Sequence, residues 1–270
     1  MDARATELFD AGRQAWLRND LSKATTLLRD ARSAAPGNAA IEAALGAALL
    51  KSGDLKEGLP LFDRWRTLRP SAPALPYPRW RGQPPAGKRI LIWSEHGFGD
   101  QIQWARYAIL LKEAGALVTW FCPRALATLL DDLGFTTLPN DESVHLNDFD
   151  YYCPSSTLPL HFDLTMDTLD GAPYLVRPTP VQRGARIGVM TAGNPSNIEG
   201  RPRALASDQA ARLESLQSAI SLAPANTGAR DFRDTAAIMA SLERVITVDT
   251  AVAHLAVVRV TTRSAAFQIR

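Results

Sequence analysis

Residues 245–256, VITVDTAVAHLA, constrain the fold more than any other stretch of the chain. Val245, Ile246, Thr247 and Val248 read as a short buried strand. Asp249 and Thr250 follow at once, and a helix begins whose first turn carries His254. A strand that turns directly into a helix gathers free backbone N–H groups and the positive end of the helix dipole at one point. Such a point suits an anion, a phosphate or diphosphate above all. In an open parallel sheet it lies beyond the carboxyl ends of the strands, where ligands bind. Thr250 and His254 are four residues apart and share a helix face, so with Asp249 they point into one crevice. The alternative at this stage is that Asp249 or Thr250 only caps the helix.

This corner ends a long alternation of strand and helix patterns. From Arg89 onward the chain reads as strand 89–94, helix 101–114, strand 117–122, helix 124–133 and strand 149–153. Strand 186–191 then follows, with helical stretches near 207–218 and 231–241 before the corner itself. That alternation implies an α/β fold with parallel sheets covered by helices on both faces. The stretch PYLVRPTPVQRG splits it into two similar Rossmann-like lobes facing a cleft, 89–178 and 179–270.

The first 70 residues follow a different rule. Gly12 recurs as Gly46, Asp20 as Asp54, Leu28 as Phe62 and Pro36 as Pro70, a spacing of 34 residues. Ala11, Ala15, Ala24, Leu27, Leu28 and Ala31 form a helix-spaced apolar set, with small residues where two helices approach closely. Residues 1–70 are therefore expected to form two helical hairpins of tetratricopeptide type. Two such repeats can hardly bury their own faces, so they dock onto the rest of the chain or onto a partner. Residues 71–88 then form a proline-rich connector, stiff because proline fixes its own backbone dihedral. Trp80 is expected to anchor that connector to a domain surface.

Composition excludes several classes. The 270 residues are 46% hydrophobic and carry a net charge of +2. A packed core is affordable, and no basic field of the kind nucleic acid requires is present. No apolar run is long enough to span a membrane, and MDARATELFD does not read as a signal peptide, so a cytoplasmic location is expected. Cys122 and Cys153 lie in apolar surroundings and read as reduced core residues.

Two further turns carry chemistry. Glu95-His96-Gly97-Phe98-Gly99-Asp100-Gln101 sits between a buried strand and a helix, and its glycines permit close backbone approach. A dinucleotide fingerprint would need a third glycine where Ile102 stands, which disfavours a nicotinamide enzyme. Asp100 is either a helix cap or a general base at the cleft edge, with Glu95 placed to position the hydroxyl it deprotonates. The second turn is Thr191-Ala192-Gly193-Asn194-Pro195, followed by loop arginines 201 and 203. Arg203 is the better candidate for neutralising a phosphate leaving group with its planar fork. Asp148-Phe149-Asp150 superficially matches a metal-binding carboxylate pair but enters a strand. His145 and His161 lack neighbours at ligand spacing, so no metal site is expected.

Four stretches taken together, RILIWSEHGFGDQIQWARYAILL at 89–111, FDYYCPSSTLPL at 149–160, GVMTAGNPSN at 188–197 and DFRDTAAIMASLERVITVDTAVAHLA at 231–256, carry a resemblance. The chain resembles bacterial tetratricopeptide-repeat proteins with a glycosyltransferase-like C-terminal region, related to the heptosyltransferases of the two-lobed GT-B fold. The resemblance implies that Asp100 is the acceptor-activating base, with Glu95 and Gln101 on the acceptor side. It implies that Asp249, Thr250 and His254 hold the donor's diphosphate, with Asn194 and Arg203 facing the donor. It further implies a nucleotide-diphosphate sugar as substrate, a protein or glycan acceptor, no cofactor and no metal. The family commonly has Gln where His96 stands, Thr where Gln101 stands and Ser where Ala204 stands. It also continues past the histidine turn, whereas VVRVTTRSAAFQIR ends the chain here. A shortened second lobe with an unpaired sheet edge is thus expected. The alternative function is a catalytically degenerate interaction protein that binds a partner through its helical repeats.

Overall fold

The computed structural model describes residues 2–68, 75–142, 146, 148–169, 171–193, 203–257 and 265–267. It divides into two compact units, one comprising residues 1–76 and 156–170, the other 77–155 and 171–270. No helix among the described residues is long and apolar enough to cross a membrane.

The first unit contains the helices α1 (Ala3–Leu17), α2 (Leu21–Ala34), α3 (Ala39–Ser52) and α4 (Leu55–Phe62), the last running into a 3₁₀ turn over Asp63–Thr67. The 34-residue spacing has a physical basis. Asp20 caps α2 by accepting from the Lys23 N–H, and Asp54 caps α4 by accepting from the Glu57 N–H. The residues just before these caps, Asn19 and Gly53, both have positive φ, 62° and 91°. Gly12 of α1 lies against Leu28 of α2, and Gly46 of α3 against Phe62 of α4. A side chain at Gly46 would start 2.2 Å from the Phe62 nitrogen, so the two backbones meet there directly. Ala15, Ala24, Leu28, Leu45, Ala48, Leu49 and Leu61 form the core between these helices. The helical unit is not contiguous, because residues 156–170 belong to it as well.

The second unit holds two parallel sheets. The first contains β1 (Arg89–Trp93), β2 (Leu117–Cys122), β3 (Thr136–Pro139) and β4 (Tyr151–Pro154), in the order β3-β2-β1-β4. The second contains β5 (Ile187–Met190), β6 (Ala219–Ser221), β7 (Arg244–Thr247) and β8 (Ala265–Phe267), in the order β6-β5-β7-β8. Every strand pair is parallel. The helices are α5 (Phe98–Glu113), α6 (Arg124–Asp131), α7 (Ser207–Glu214), α8 (Pro224–Thr227), α9 (Phe232–Met239) and α10 (Ala251–Leu255). Ile90, Ile92, Ile102, Trp120, Leu126 and Leu130 are fully buried around the first sheet.

Three details depart from the sequence reading. Strands β3 and β6 carry no alternating pattern that would announce them. Residues 265–267 add a further strand that pairs with β7 in parallel. Helix α5 begins at Phe98, so Asp100 stands inside its first turn and not at its start. Residues 69–74, which include the first four of the proline-rich connector, lie outside the described residues. Further along, the connector is anchored as expected: Trp80 is 3% exposed, and its backbone N–H donates to the Tyr152 carbonyl at 2.8 Å.

Candidate functional site

Both sheets change direction of growth beside their first strand. The first sheet adds β2 and β3 on one side of β1 and β4 on the other; the second adds β6 on one side of β5 and β7 on the other. In open parallel sheets a crevice opens at such a switch point, outside the carboxyl ends of the strands. The turns singled out in the sequence lie there.

In the first sheet, the turn after β1 meets the end of β4. The Glu95 N–H donates to Ser155 Oγ at 3.1 Å, joining the two strand ends across the switch point. Glu95 is 5% exposed. Gln101 is 2% exposed, and its side chain is used internally. Its Oε1 accepts from Ser94 Oγ at 2.5 Å, and Ser94 Oγ in turn accepts from Trp120 Nε1 at 2.8 Å. Gln101 thus ties the strand end to α5 from within. Asp100 is half-buried, and its Oδ2 accepts from the Gly97 N–H at 3.0 Å, the bond expected of a capping residue. His96, exposed and at φ 61°, lies edge-on to Trp104.

In the second sheet, the turn after β5 meets the turn after β7. A side chain at Gly193 would start 3.5 Å from Thr250 Cγ2, so the two turns are in contact. Asn194, Arg201 and His145 lie outside the described residues. Arg203 is described, on a segment that returns beside β5, where the Leu205 N–H donates to the Thr191 carbonyl at 2.9 Å. Its Nη1 pairs with Asp249 Oδ2 at 3.3 Å. Thr250 occupies the N-cap of α10 in extended conformation but makes no side-chain cap bond. Its hydroxyl lies 3.3 Å from that of Thr247. Capping therefore does not account for the Thr250 side chain, whereas it does account for one oxygen of Asp100.

The two turns converge. Helix α5 packs on α10, and α6 packs on α9. Phe98 meets Phe232 edge-on at 5.1 Å, Thr128 Oγ1 donates to Asp231 Oδ2 at 3.0 Å, and Arg233 pairs with Asp132 at 2.8 Å. The segment between the two sheets is held by Tyr174, whose hydroxyl donates to the Ile102 carbonyl at 2.6 Å. The His254 ring lies against Gly99, one residue from Asp100. Burial holds its imidazole below the ordinary value of 6.5; Asp100 and Asp249 pull it back up, and Arg203 pushes it down. Asp100, Arg203, Asp249, Thr250 and His254 thus form one cluster drawn from both halves of the unit.

Other candidates find different employment. Asp150 accepts from the Arg89 N–H at 2.8 Å and pairs with Lys88, which holds its carboxyl below the usual range. Cys122 and Cys153 are buried free thiols, and burial pushes Cys122 up to about 12. The glycines at 97 and 99 announced a close approach to the backbone, but that His254 is what approaches Gly99 depends on helix packing.

No family model matches the chain, and no curated protein matches it in sequence. Among solved structures it is similar to the crystal structure of a bacterial iron-containing dodecameric glycosyltransferase, TibC from enterotoxigenic E. coli H10407. The TM-score is 0.49 and the sequence identity 13%, over 67% of this chain and 58% of that one. The chain thus spans less than two thirds of that structure's length, and a likeness at this level fixes neither substrate nor chemistry.

Proposed function

We propose that the chain is a glycosyltransferase-like protein that moves a sugar from a nucleotide-diphosphate donor to a hydroxyl acceptor. One observation carries this reading: the corner after β1 and the corner after β7 bring Asp100 and His254 together, with Arg203 beside the second corner. A carboxylate able to take a proton faces groups able to hold a leaving diphosphate. In the proposed step the acceptor oxygen bonds to the anomeric carbon as its proton passes to Asp100. The bond from that carbon to the diphosphate breaks, and its electron pair leaves with the diphosphate. Arg203, Thr250 and His254 stabilise that charge, and Asp249 fixes the Arg203 fork, which has further N–H groups to offer. Asn194, outside the described residues, is assigned to the donor side from the sequence alone. Glu95 and Gln101 shape the acceptor side from within the wall. Side chains and backbone amides, not a metal, carry the developing charge in this reading.

Calorimetric titration with uridine, guanosine and adenosine diphosphates tests the proposal. Binding of at least one, weakened about tenfold or more by Asp249→Ala and by His254→Ala, is the expected result. Absent binding, or binding that neither substitution changes, counts against it. The second reading, an interaction protein without chemistry, has its own support. Asp100 is engaged by Gly97 and Asp249 by Arg203, so both carboxylates already have structural duties. Capture of a partner that depends on residues 1–70, with no sugar transfer or donor hydrolysis, would favour it.

A further inference from the structure

Helix α5 presents bare backbone at one position, Gly99, and the imidazole of His254 fills the space a side chain would take there. A Cβ on residue 99 would lie 2.5 Å from His254 Cδ2 and 2.9 Å from Nε2. Both separations are closer than non-bonded carbon and nitrogen atoms can be held. The next neighbour, the Ala251 Cα, would be 3.4 Å away, an ordinary contact. The two helices could therefore keep their approach with alanine at 99, and only the ring would have to leave. Gly99 has no positive φ to explain its choice, so conformational freedom of the turn does not require a glycine there.

We infer that Gly99 is a positioning residue for the donor side of the proposed site: its missing side chain is the seat that holds the His254 ring against α5, one residue from Asp100. The inference rests on the proposed function for the role of His254, but the seat itself rests on geometry. Three charged groups act electrostatically on the ring: Asp100 from α5, Asp249 from the turn before α10, and Arg203 from the returning loop. A seated ring has its orientation toward all three fixed in advance, and holding the leaving-group contact in place before the donor arrives avoids an ordering cost during the reaction. A displaced ring loses that orientation and gains water.

The test is an NMR titration of the histidines in the full chain, with His254→Ala identifying the resonance. In Gly99→Ala the His254 signal should titrate nearer its ordinary value, because burial is the largest influence on it and the ring is pushed toward water. Affinity for the nucleoside diphosphate that the unaltered chain binds should fall about tenfold in the same variant. A folded Gly99→Ala chain with unchanged titration and unchanged affinity overturns the seat and leaves the donor site standing. An unaltered chain that binds none of the three diphosphates overturns the donor site, and with it the role given to the seat. Should Gly99→Ala fail to fold, the double variant Gly99→Ala/His254→Ala should recover folding, because the clashing ring is gone. A double variant that also fails to fold overturns the inference.

Discussion

At the scale of single residues, the site is a balance of charges around one imidazole. Asp100→Asn removes an influence that raises the His254 pKa, so His254 should titrate lower still, and Arg203→Ala should move it the other way. Opposite shifts in one NMR series would place both groups beside the ring; shifts of the same sign would separate them. In a transfer assay Asp100→Asn should cost about 10²–10⁴-fold in kcat with little change in diphosphate affinity, as loss of a general base does. A drop in affinity with kcat intact would reassign Asp100 to binding. The depressed His254 also has a stability consequence. Above the ordinary value of 6.5 the ring is neutral in both folded and unfolded chains and costs nothing. As pH falls below 6.5 the unfolded chain takes up the proton first, so stability is lost until the folded pKa is passed. His254→Ala should flatten the urea-denaturation profile where it falls away below pH 6.5. The sequence showed which residue types could do this work, since Asp100, Arg203, Asp249, Thr250 and His254 stand where strands give way to helices or loops. It did not show that Gln101 is spent inside the wall, because hydrogen bonds to Ser94 depend on how a strand end meets a helix. Nor did it show that Asp100 lies within the first turn of α5, since the N-cap falls on Gly97, a residue that can take that place though an aspartate is the more usual choice.

At the scale of elements, the helical repeat was legible because its cause is steric and recurs. Small residues were needed where helices touch, and the positions 12/46 and 28/62 keep the same contact in both hairpins. The two glycines are not equivalent, however. At Gly46 an added methyl meets the Phe62 backbone at 2.2 Å, and neither helix can give way without parting from the other. At Gly12 it meets side-chain and not backbone atoms, Leu28 Cγ at 2.7 Å and Cδ2 at 3.0 Å, which can shift with χ1 while the backbones stay. Gly46→Ala should therefore destabilise by about 3 kcal/mol and Gly12→Ala by about 1 kcal/mol. Urea denaturation followed by circular dichroism would measure both, and equal losses would refute the distinction. The short strands were illegible for the opposite reason. Ala219–Ser221 offers three residues and Thr136–Pro139 four, too few to display a period, so their existence is decided by neighbouring strands. Asp231 joins two elements at once: Oδ1 caps α9 by accepting from the Asp234 N–H at 2.8 Å, while Oδ2 accepts from Thr128 of α6. Asp231→Ala should thus lose about 2 kcal/mol and Thr128→Val about 1 kcal/mol, because only the first removes the cap.

At the scale of the whole chain, composition and alternation indicated two kinds of architecture but placed their border by sequence position. A border at residue 70 assumes that each unit is one continuous stretch, and nothing in a pattern of local periodicities contradicts that assumption. The structure draws residues 156–170 into the helical unit. Within that unit Arg66 donates to Ser156, and Met166 lies against the turn at Gly53, so a side chain at 53 would start 3.3 Å from its Cγ. The chain therefore leaves the first sheet after β4, contributes to the helical unit, and returns for the second sheet. A fragment beginning at Tyr77 would keep both sheets but deprive residues 156–170 of their own unit. The bonds within that segment are short-range, such as the threonine turn between Thr165 and Thr168 and the Phe162 N–H donating to the Pro159 carbonyl. Without partners it should open readily, since local stability follows from buried contacts. Limited proteolysis should then cut the fragment 77–270 within 156–170 at least about tenfold faster than the intact chain, with other cleavage sites little changed. Equal rates would mean that the segment holds its own shape, and the helical unit would shrink to the contiguous repeats that the 34-residue spacing marks out.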